Sequence, residues 1–349
     1  MNPILEQIRF MHKIGGIGRL LRLRKKHALG LKLIRGYAAT TCFWTLSNVG
    51  LLDNLLEKGA VDLKEFAQAN KLDLETLRSI CEYLDGIKVL DCENDRCMLD
   101  VNGKILLEEP RGLFDLLYGY EPVFTKLEAL ARSQEKYGRD VIRRGDAVAK
   151  GSGELGRQFP FLAMRQMVYD HGFRRVLDLG CGDLEFVFLL CERAGITAAG
   201  VDSDPAAIEC ARRRLEDGAS CSGRVTVSRA DMFDVEHLAE LFPDIDAITA
   251  IDVLHEYVYG GVQPVIKLLG EYKRNFPQSA LVVAEFFKLP RVWLRRIPTT
   301  TLEHHLFHSL TKQEILPIGQ WIDLFQKSGY GIVDKKLVHG IGHAYFVLR

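Results

Sequence analysis

The run Val176–Phe186, VLDLGCGDLEF, decides the fold of this chain. An apolar strand ends in Asp178, and Gly180, Cys181, Gly182 and Asp183 make a tight turn. An apolar, helix-compatible run through Leu190 follows at once. Glycines admit positive φ and leave bare main chain for a ligand to lie against. About twenty residues past the turn, the spacing such units favour, a second apolar strand, ITAAGVD, delivers Asp202 at its end. Strand, glycine turn, helix, strand, acid is the order of a nucleoside-binding βαβ unit, with the acid placed for ribose hydroxyls.

Working outward, strands are expected at 175–179, 197–202, 225–229, 246–251, 280–286, 332–338 and 343–348. Helical runs separate the first five, the signature of a parallel, doubly wound sheet; the last two read as an antiparallel hairpin at one edge. Ligands in such sheets bind beyond the carboxyl ends of the strands. Those ends are Asp178–Asp183, Asp202–Asp204, Asp231–Met232, Asp252–Glu256 and Glu285–Phe287.

These motifs, VLDLGCGD, GVDSDP, RADMFD, DAITAIDVLHEY and LVVAEFF, resemble in order and spacing the class I S-adenosylmethionine-dependent methyltransferases. The resemblance implies that Gly180 and Gly182 hold the methionine part of S-adenosylmethionine, that Asp202 takes the ribose, and that Asp231 and Met232 meet the adenine, with Asp178 also in the cofactor-binding set. A dinucleotide is the rival ligand. Leu184, standing in place of a further glycine, leaves less room for a pyrophosphate and disfavours it. The same leucine departs from the commonest methyltransferase turn.

The chain's 349 residues exceed the usual size of a single core, so two domains are expected. Residues 37–110 read as three helices and a hairpin turning at Glu93–Asp95, a winged-helix module, with Asp62 and Asp73 at helix starts. DNA binding is disfavoured: the candidate recognition helix carries Asp73, Glu75, Glu82 and Asp85 against Arg78 and Lys88, whereas a helix in the major groove should neutralise phosphates. Residues 111–170 read as connecting helices and 171–349 as the S-adenosylmethionine-binding domain. The fold class is thus α/β: a Rossmann-like, seven-stranded doubly wound sheet with an N-terminal helical winged-helix domain. That combination is similar to the plant-type small-molecule O-methyltransferases and their bacterial relatives, which implies a homodimer.

The chemistry is expected at the end of the fourth strand. A hydroxyl or an enolisable carbon must lose a proton before attacking a sulfonium methyl, and histidine's near-neutral pKa suits that task. The resemblance makes His255 of DVLHEY the general base and Glu285 its partner. Glu256 reads as a solvent-facing or helix-start residue. A second cluster, TTTLEHHLFHSLTKQ, contains His304, His305 and His308, the first and last on one helical face. Imidazoles at that spacing can chelate a divalent metal, zinc or iron. HEY and FHSLTKQ resemble the bacterial α-keto acid C-methyltransferases, implying a metal held by His255 and His308. A third alternative is a winged-helix regulator that binds the cofactor without catalysis. Tyr118, Tyr120, Glu121, His308 and residues around Phe287 are the candidate substrate pocket, and Arg291, Arg295 and Arg296 could grip a carboxylate. The helix QWIDLFQKSGY should face the core through Trp321, Leu324 and Phe325.

Lys plus Arg equals Asp plus Glu, at 46 each, so no global field argues for a nucleic-acid partner. Small molecules are the expected partners. The charge is unevenly placed, however. Residues 1–36 carry nine basic residues against Glu6 alone, a basic amphipathic segment suited to anionic lipid or to a partner subunit. The eight cysteines form no CxxC pair, which points to reduced thiols and a cytoplasmic protein. No apolar run has the length of a membrane span.

Overall fold

The computed structural model describes residues 3–216, 221–296 and 300–349. The chain divides into two compact units, Met1–Pro110 and Arg111–Arg349.

In the first unit, helices span Pro3–Lys13, Gly16–Asn48, Leu51–Lys58, Leu63–Asn70, Leu74–Gly86 and Val101–Glu108. Strands β1 (Ala60–Asp62), β2 (Leu90–Glu93) and β3 (Arg96–Leu99) form an antiparallel sheet in the order β1-β3-β2. The Asp62 carboxylate accepts from the N–H groups of Lys64 and Glu65, and that of Asp73 from Thr76. Each thereby satisfies helix-start donors that have no partner inside the helix. Arg78, a cation of the candidate recognition helix, is bonded to Asp95 at 2.6 Å and to Glu75. Among the described side chains of residues 4–36 nearly all are exposed, apolar and basic alike. No helix among the described residues is long and apolar enough to cross a membrane.

The hairpin turns at Asn94 and Asp95, both at positive φ (50° and 67°), the conformation that two-residue hairpin loops require. That turn sets Cys92 opposite Cys97, and the two are joined in a disulfide. The expectation of reduced thiols throughout is corrected at this pair. A spacing of five residues means adjacency only once the two-residue turn sets the register.

The second unit is built on β4 (Arg175–Leu179), β5 (Thr197–Asp202), β6 (Val225–Arg229), β7 (Ala247–Ile251), β8 (Ala280–Phe286), β9 (Ile332–Val338) and β10 (His343–Leu348). The order is β6-β5-β4-β7-β8-β10-β9, with β10 and β9 antiparallel and the others parallel. Both faces of the inner strands β4, β5, β7, β8 and β10 are covered, so these are near-continuous apolar runs, while the edge strands β6 and β9 are partly exposed. On β4, Val176 enters one core cluster and Leu177 the other. Trp321, Leu324 and Phe325 are fully buried on the helix Ile318–Lys327.

Ahead of β4 come helices Arg111–Thr125, Leu127–Ala131, Gly145–Gln158 and Pro160–Asp170. The first and third lie close because Gly151 has no side chain: a Cβ there would stand 2.5 Å from the Leu116 nitrogen. The reversal of strand order between β4 and β7 places the opening of the sheet at the carboxyl ends of these two strands.

Candidate active site

A cavity of about 720 Å³ opens at those strand ends, lined entirely by residues of the second unit. Its floor is the glycine turn. Gly180 and Gly182 adopt φ of 70° and 53°, and Leu184 adopts 68° with its side chain fully buried. The N–H groups of Gly180 and Cys181 both donate to the Val201 carbonyl, at 2.9 and 3.1 Å. The turn is thereby stitched to the end of β5. Asp202 continues the link, accepting from Gly182 N–H at 3.1 Å and from Asp204 N–H at 2.9 Å.

Asp178 lines the cavity from the end of β4 and is buried, its carboxylate accepting from the Thr249 hydroxyl at 2.6 Å. Burial pushes its pKa up to about 7, against the pull of that hydrogen bond, and the Asp202 carboxylate adds to the rise. Met232 lines the cavity, but Asp231 does not. Its side chain is exposed and accepts from Phe233 N–H at 2.9 Å, closing a local turn. Asp231, expected at the adenine, thus stands outside the cavity, and the residues on either side of it, Ala230 and Met232, line the wall.

His255 follows β7 on a short 3-10 turn, Leu254–Tyr257, and is buried. Glu285, fully buried near the end of β8, supports that turn. Its Oε1 accepts from the N–H groups of Leu254 (2.6 Å) and His255 (3.2 Å), while Oε2 meets His255 Nδ1 at 2.9 Å. Nδ1 thus carries the proton toward the carboxylate, and Nε2 is left for the cavity that His255 lines. Burial alone would push His255 down, but the bonded Glu285 charge outweighs it and the pKa is raised.

His308, on the helix Thr301–Leu310, lies with its ring centroid 4.6 Å from that of His255. Its Nδ1 donates to the His304 carbonyl at 2.5 Å, and among the described residues Nε2 has no hydrogen-bond partner. Burial, with the His255 charge beside it, lowers His308 well below the usual range, and burial lowers His304 to about 4. Both line the cavity as neutral imidazoles.

Of the two expected substrate tyrosines, only Tyr120 lines the cavity, its ring stacked on Phe307 at 4.7 Å. Tyr118 does not join it: Arg144 sits over its ring at 4.3 Å and bonds its carbonyl at 3.0 Å. Two positions on a helix differ by about 200°, so the two side chains cannot share a face. Of the residues around Phe287, Phe286 lines the cavity; successive side chains at a strand end point oppositely, and Phe287 itself enters the core. Arg291, Arg295 and Arg296 are exposed and line nothing in the cavity.

The cation of the cavity wall is Arg143, which sequence reasoning passed over. It donates to Glu256 at 2.7 Å and to the Tyr120 hydroxyl at 3.3 Å. Glu256 also accepts from Gln313 at 2.6 Å. It is therefore a wall residue locked in an ion pair, which corrects its reading as a solvent-facing group.

The family model described as "Methyltransferase domain" matches residues 176–269. The chain is similar to methyltransferase ungE' of Aspergillus campestris, 24% identical over 84% of this chain and 88% of that one. It is also similar to the 2-ketoarginine methyltransferase of Streptomyces arginensis, 25% identical over 88% and 89% of the two chains. Among solved structures, the mitomycin 7-O-methyltransferase MmcR superposes with a TM-score of 0.68 at 17% identity, over 95% of this chain and 99% of that one. The glycine turn tied to Asp202, the strand order and these likenesses agree: the chain is a class I S-adenosylmethionine-dependent methyltransferase.

Proposed function

We propose that the chain methylates the enolisable carbon of a small 2-keto acid, with His255 as general base. The observation that carries this reading is the His255–Glu285 pair, which leaves Nε2 as the basic atom of the cavity. The likeness to a 2-ketoarginine methyltransferase supports a keto acid over a phenol.

The residues present suit S-adenosylmethionine. A Cβ on Gly182 would meet nothing within 4 Å, so the turn presents open backbone. Asp202 ends β5 at the place for ribose hydroxyls, and Asp178 offers a buried carboxylate. When bound, the cofactor supplies an electrophilic sulfonium methyl. His255 takes the carbon-bound proton at Nε2, and Glu285 steadies the imidazolium. The resulting carbanion then receives the methyl group, in the orientation the cavity imposes. Tyr120 and His308 contribute the wall, and Arg143 retains N–H groups beyond its two bonds for the substrate carboxylate.

His255→Ala should lower turnover of a 2-keto acid by about 10²–10⁴ with little change in S-adenosylhomocysteine affinity. Unchanged turnover would remove His255 from the mechanism. A hydroxyl acceptor remains the second target, and it needs the same base; the position of the isotope label in the product separates the two.

A second reading is favoured by the facing imidazoles. Among the described residues Nε2 of His255 and of His308 has no hydrogen-bond partner, and two imidazoles with open positions, His255 once deprotonated, suit zinc or iron. These two residues would hold the metal, which would polarise the keto oxygen as a Lewis acid. In that reading a ligating His255 is not the base. Full activity after chelation and metal analysis would exclude it.

For the first unit we propose a winged-helix role in homodimer formation, resting on the exposed apolar side chains of residues 4–36. Light scattering of the full chain, alone and after deletion of residues 1–36, tests it. Binding of the intact chain to anionic vesicles would favour a lipid surface instead.

A further inference from the structure

Asp252 follows β7 directly and adopts a left-handed conformation, φ 54°, which residues with a side chain adopt at a cost. Its Oδ1 meets Nε2 of the fully buried His343 at 2.6 Å, and His343 Nδ1 meets the Tyr345 hydroxyl at 2.7 Å. Both nitrogens of His343 are engaged, so this ring offers nothing to a ligand. The chain Tyr345–His343–Asp252 ends at Oδ2, for which no hydrogen bond is found among the described residues, on a side chain that lines the cavity. An oxygen of Asp252, a nitrogen of His255 and an oxygen of Glu285 lie within 4.8 Å of one another, which places the carboxylate beside the proposed base.

The wall between Asp252 and Arg143 is a run of rings. Tyr120 stacks on Phe307 (4.7 Å), Phe307 meets His304 (6.2 Å), His304 meets Phe286 (5.1 Å) and Phe286 meets His343 (4.8 Å). Arg143 stands over Tyr120 at one end of this chain of contacts, 6.0 Å from the ring centroid, and Asp252 is bonded to His343 at the other. A flat or aromatic body fits along such a wall, with an anionic group toward the guanidinium. An oxygen acceptor held rigidly from behind, at the other end, is suited to a fixed N–H group.

Resting on the 2-keto acid reading, we infer that Asp252 is a specificity-determining residue that accepts a hydrogen bond from an N–H carried on the acceptor's side chain. His343 and Tyr345 are its positioning residues. The preferred substrates are then keto acids with a ring N–H or a guanidinium, rather than purely hydrocarbon ones. An acceptor that the bound substrate covers and leaves unmatched penalises the analogue without the donor, and this is the source of discrimination.

The test compares indole-3-pyruvate with its benzothiophene isostere, in which sulfur replaces the ring N–H. In the wild-type protein, kcat/KM should favour the indole by roughly tenfold or more. Asp252→Gly, which suits the positive φ, and Asp252→Asn should both collapse that ratio toward one. The Kd for S-adenosylhomocysteine should stay within about threefold of wild type in both, a shift too small to reflect a lost hydrogen bond. A ratio that survives both substitutions overturns the inference. So does a rise in Kd with the ratio intact, which would assign the carboxylate to the methyl donor. Wild-type turnover of both keto acids without preference overturns the inference alone, and turnover of neither removes the keto acid reading with it.

Discussion

Leu184 and Gly200 occupy one another's space: a Cβ on Gly200 would stand 2.5 Å from Leu184 Cδ2 and 2.7 Å from the Cys181 side chain. The bare position on β5 lets the turn after β4 fold down onto the sheet. Leu184 pays with a left-handed backbone (φ 68°) for a fully buried side chain. Gly200→Ala should therefore lower stability by about 2 kcal/mol or more, as overpacking does, and weaken S-adenosylhomocysteine binding. Leu184→Ala in the same chain should recover part of the loss. Thermal melts of the four members of the cycle check it, and strict additivity would disprove the contact.

Leu184 also shows how far the sequence carries. Its departure from glycine could be read, but a leucine held at positive φ and compensated from β5 could not, because the compensating glycine lies on another strand. The five inner strands were legible because burial on both faces makes each an apolar run bounded by breakers, whereas the edge strands β6 and β9 carry polar, partly exposed residues. The cavity lining was legible where a strand end fixes direction, as at Asp178, Asp202 and His255. It was not legible where direction depends on the rotation of one element against another. Which of Tyr118 and Tyr120, and which residue around Phe287, faces the cavity differs by one or two positions that only packing resolves. Arg143 sits in the polar stretch VIRRGDA, where nothing local separates a wall cation from a solvated one.

The Glu285 carboxylate should govern the pH profile of turnover. It holds His255 above its ordinary value, and the base acts only when deprotonated. Activity should thus rise with pH through the histidine's titration. Glu285→Gln should move that limb toward acid and lower the plateau by about 10²-fold, a weaker base being a poorer one. Rate profiles of the two proteins decide it. A limb that stays in place would detach Glu285 from the base.

Acid should open the second unit through its neutral histidines. Burial holds His304 at about 4 against an ordinary 6.5, so the folded protein prefers the uncharged ring. The stability this represents is present above pH 6.5 and is lost as pH falls toward 4, with His308 acting in the same direction. The loss from His304 alone should be on the order of 2–3 kcal/mol. Melting temperatures between pH 7.5 and 4.5 should fall more steeply in wild type than in His304→Gln. Parallel slopes would contradict the burial of a neutral ring.

Asp178 should make cofactor binding depend on pH near neutrality. In the empty site burial raises its pKa from 3.8 to about 7, so the folded state favours the protonated acid. Ionisation therefore costs stability, increasingly as pH rises from 3.8 toward 7, by a few kcal/mol in all. A cationic ammonium brought by the methyl donor would restore the charged form, so affinity should strengthen from pH 6 to pH 8 and then level. Asp178→Asn removes the titration: it should flatten this dependence, weaken binding, and raise the melting temperature of the ligand-free protein at pH 8. Titration calorimetry with S-adenosylhomocysteine, paired with melts of the ligand-free protein, reads both effects. Weakened binding without the gain in stability would mean that Thr249, 2.6 Å away, already compensates the charge. Affinity independent of pH in the wild type would place the donor's ammonium elsewhere in the cavity.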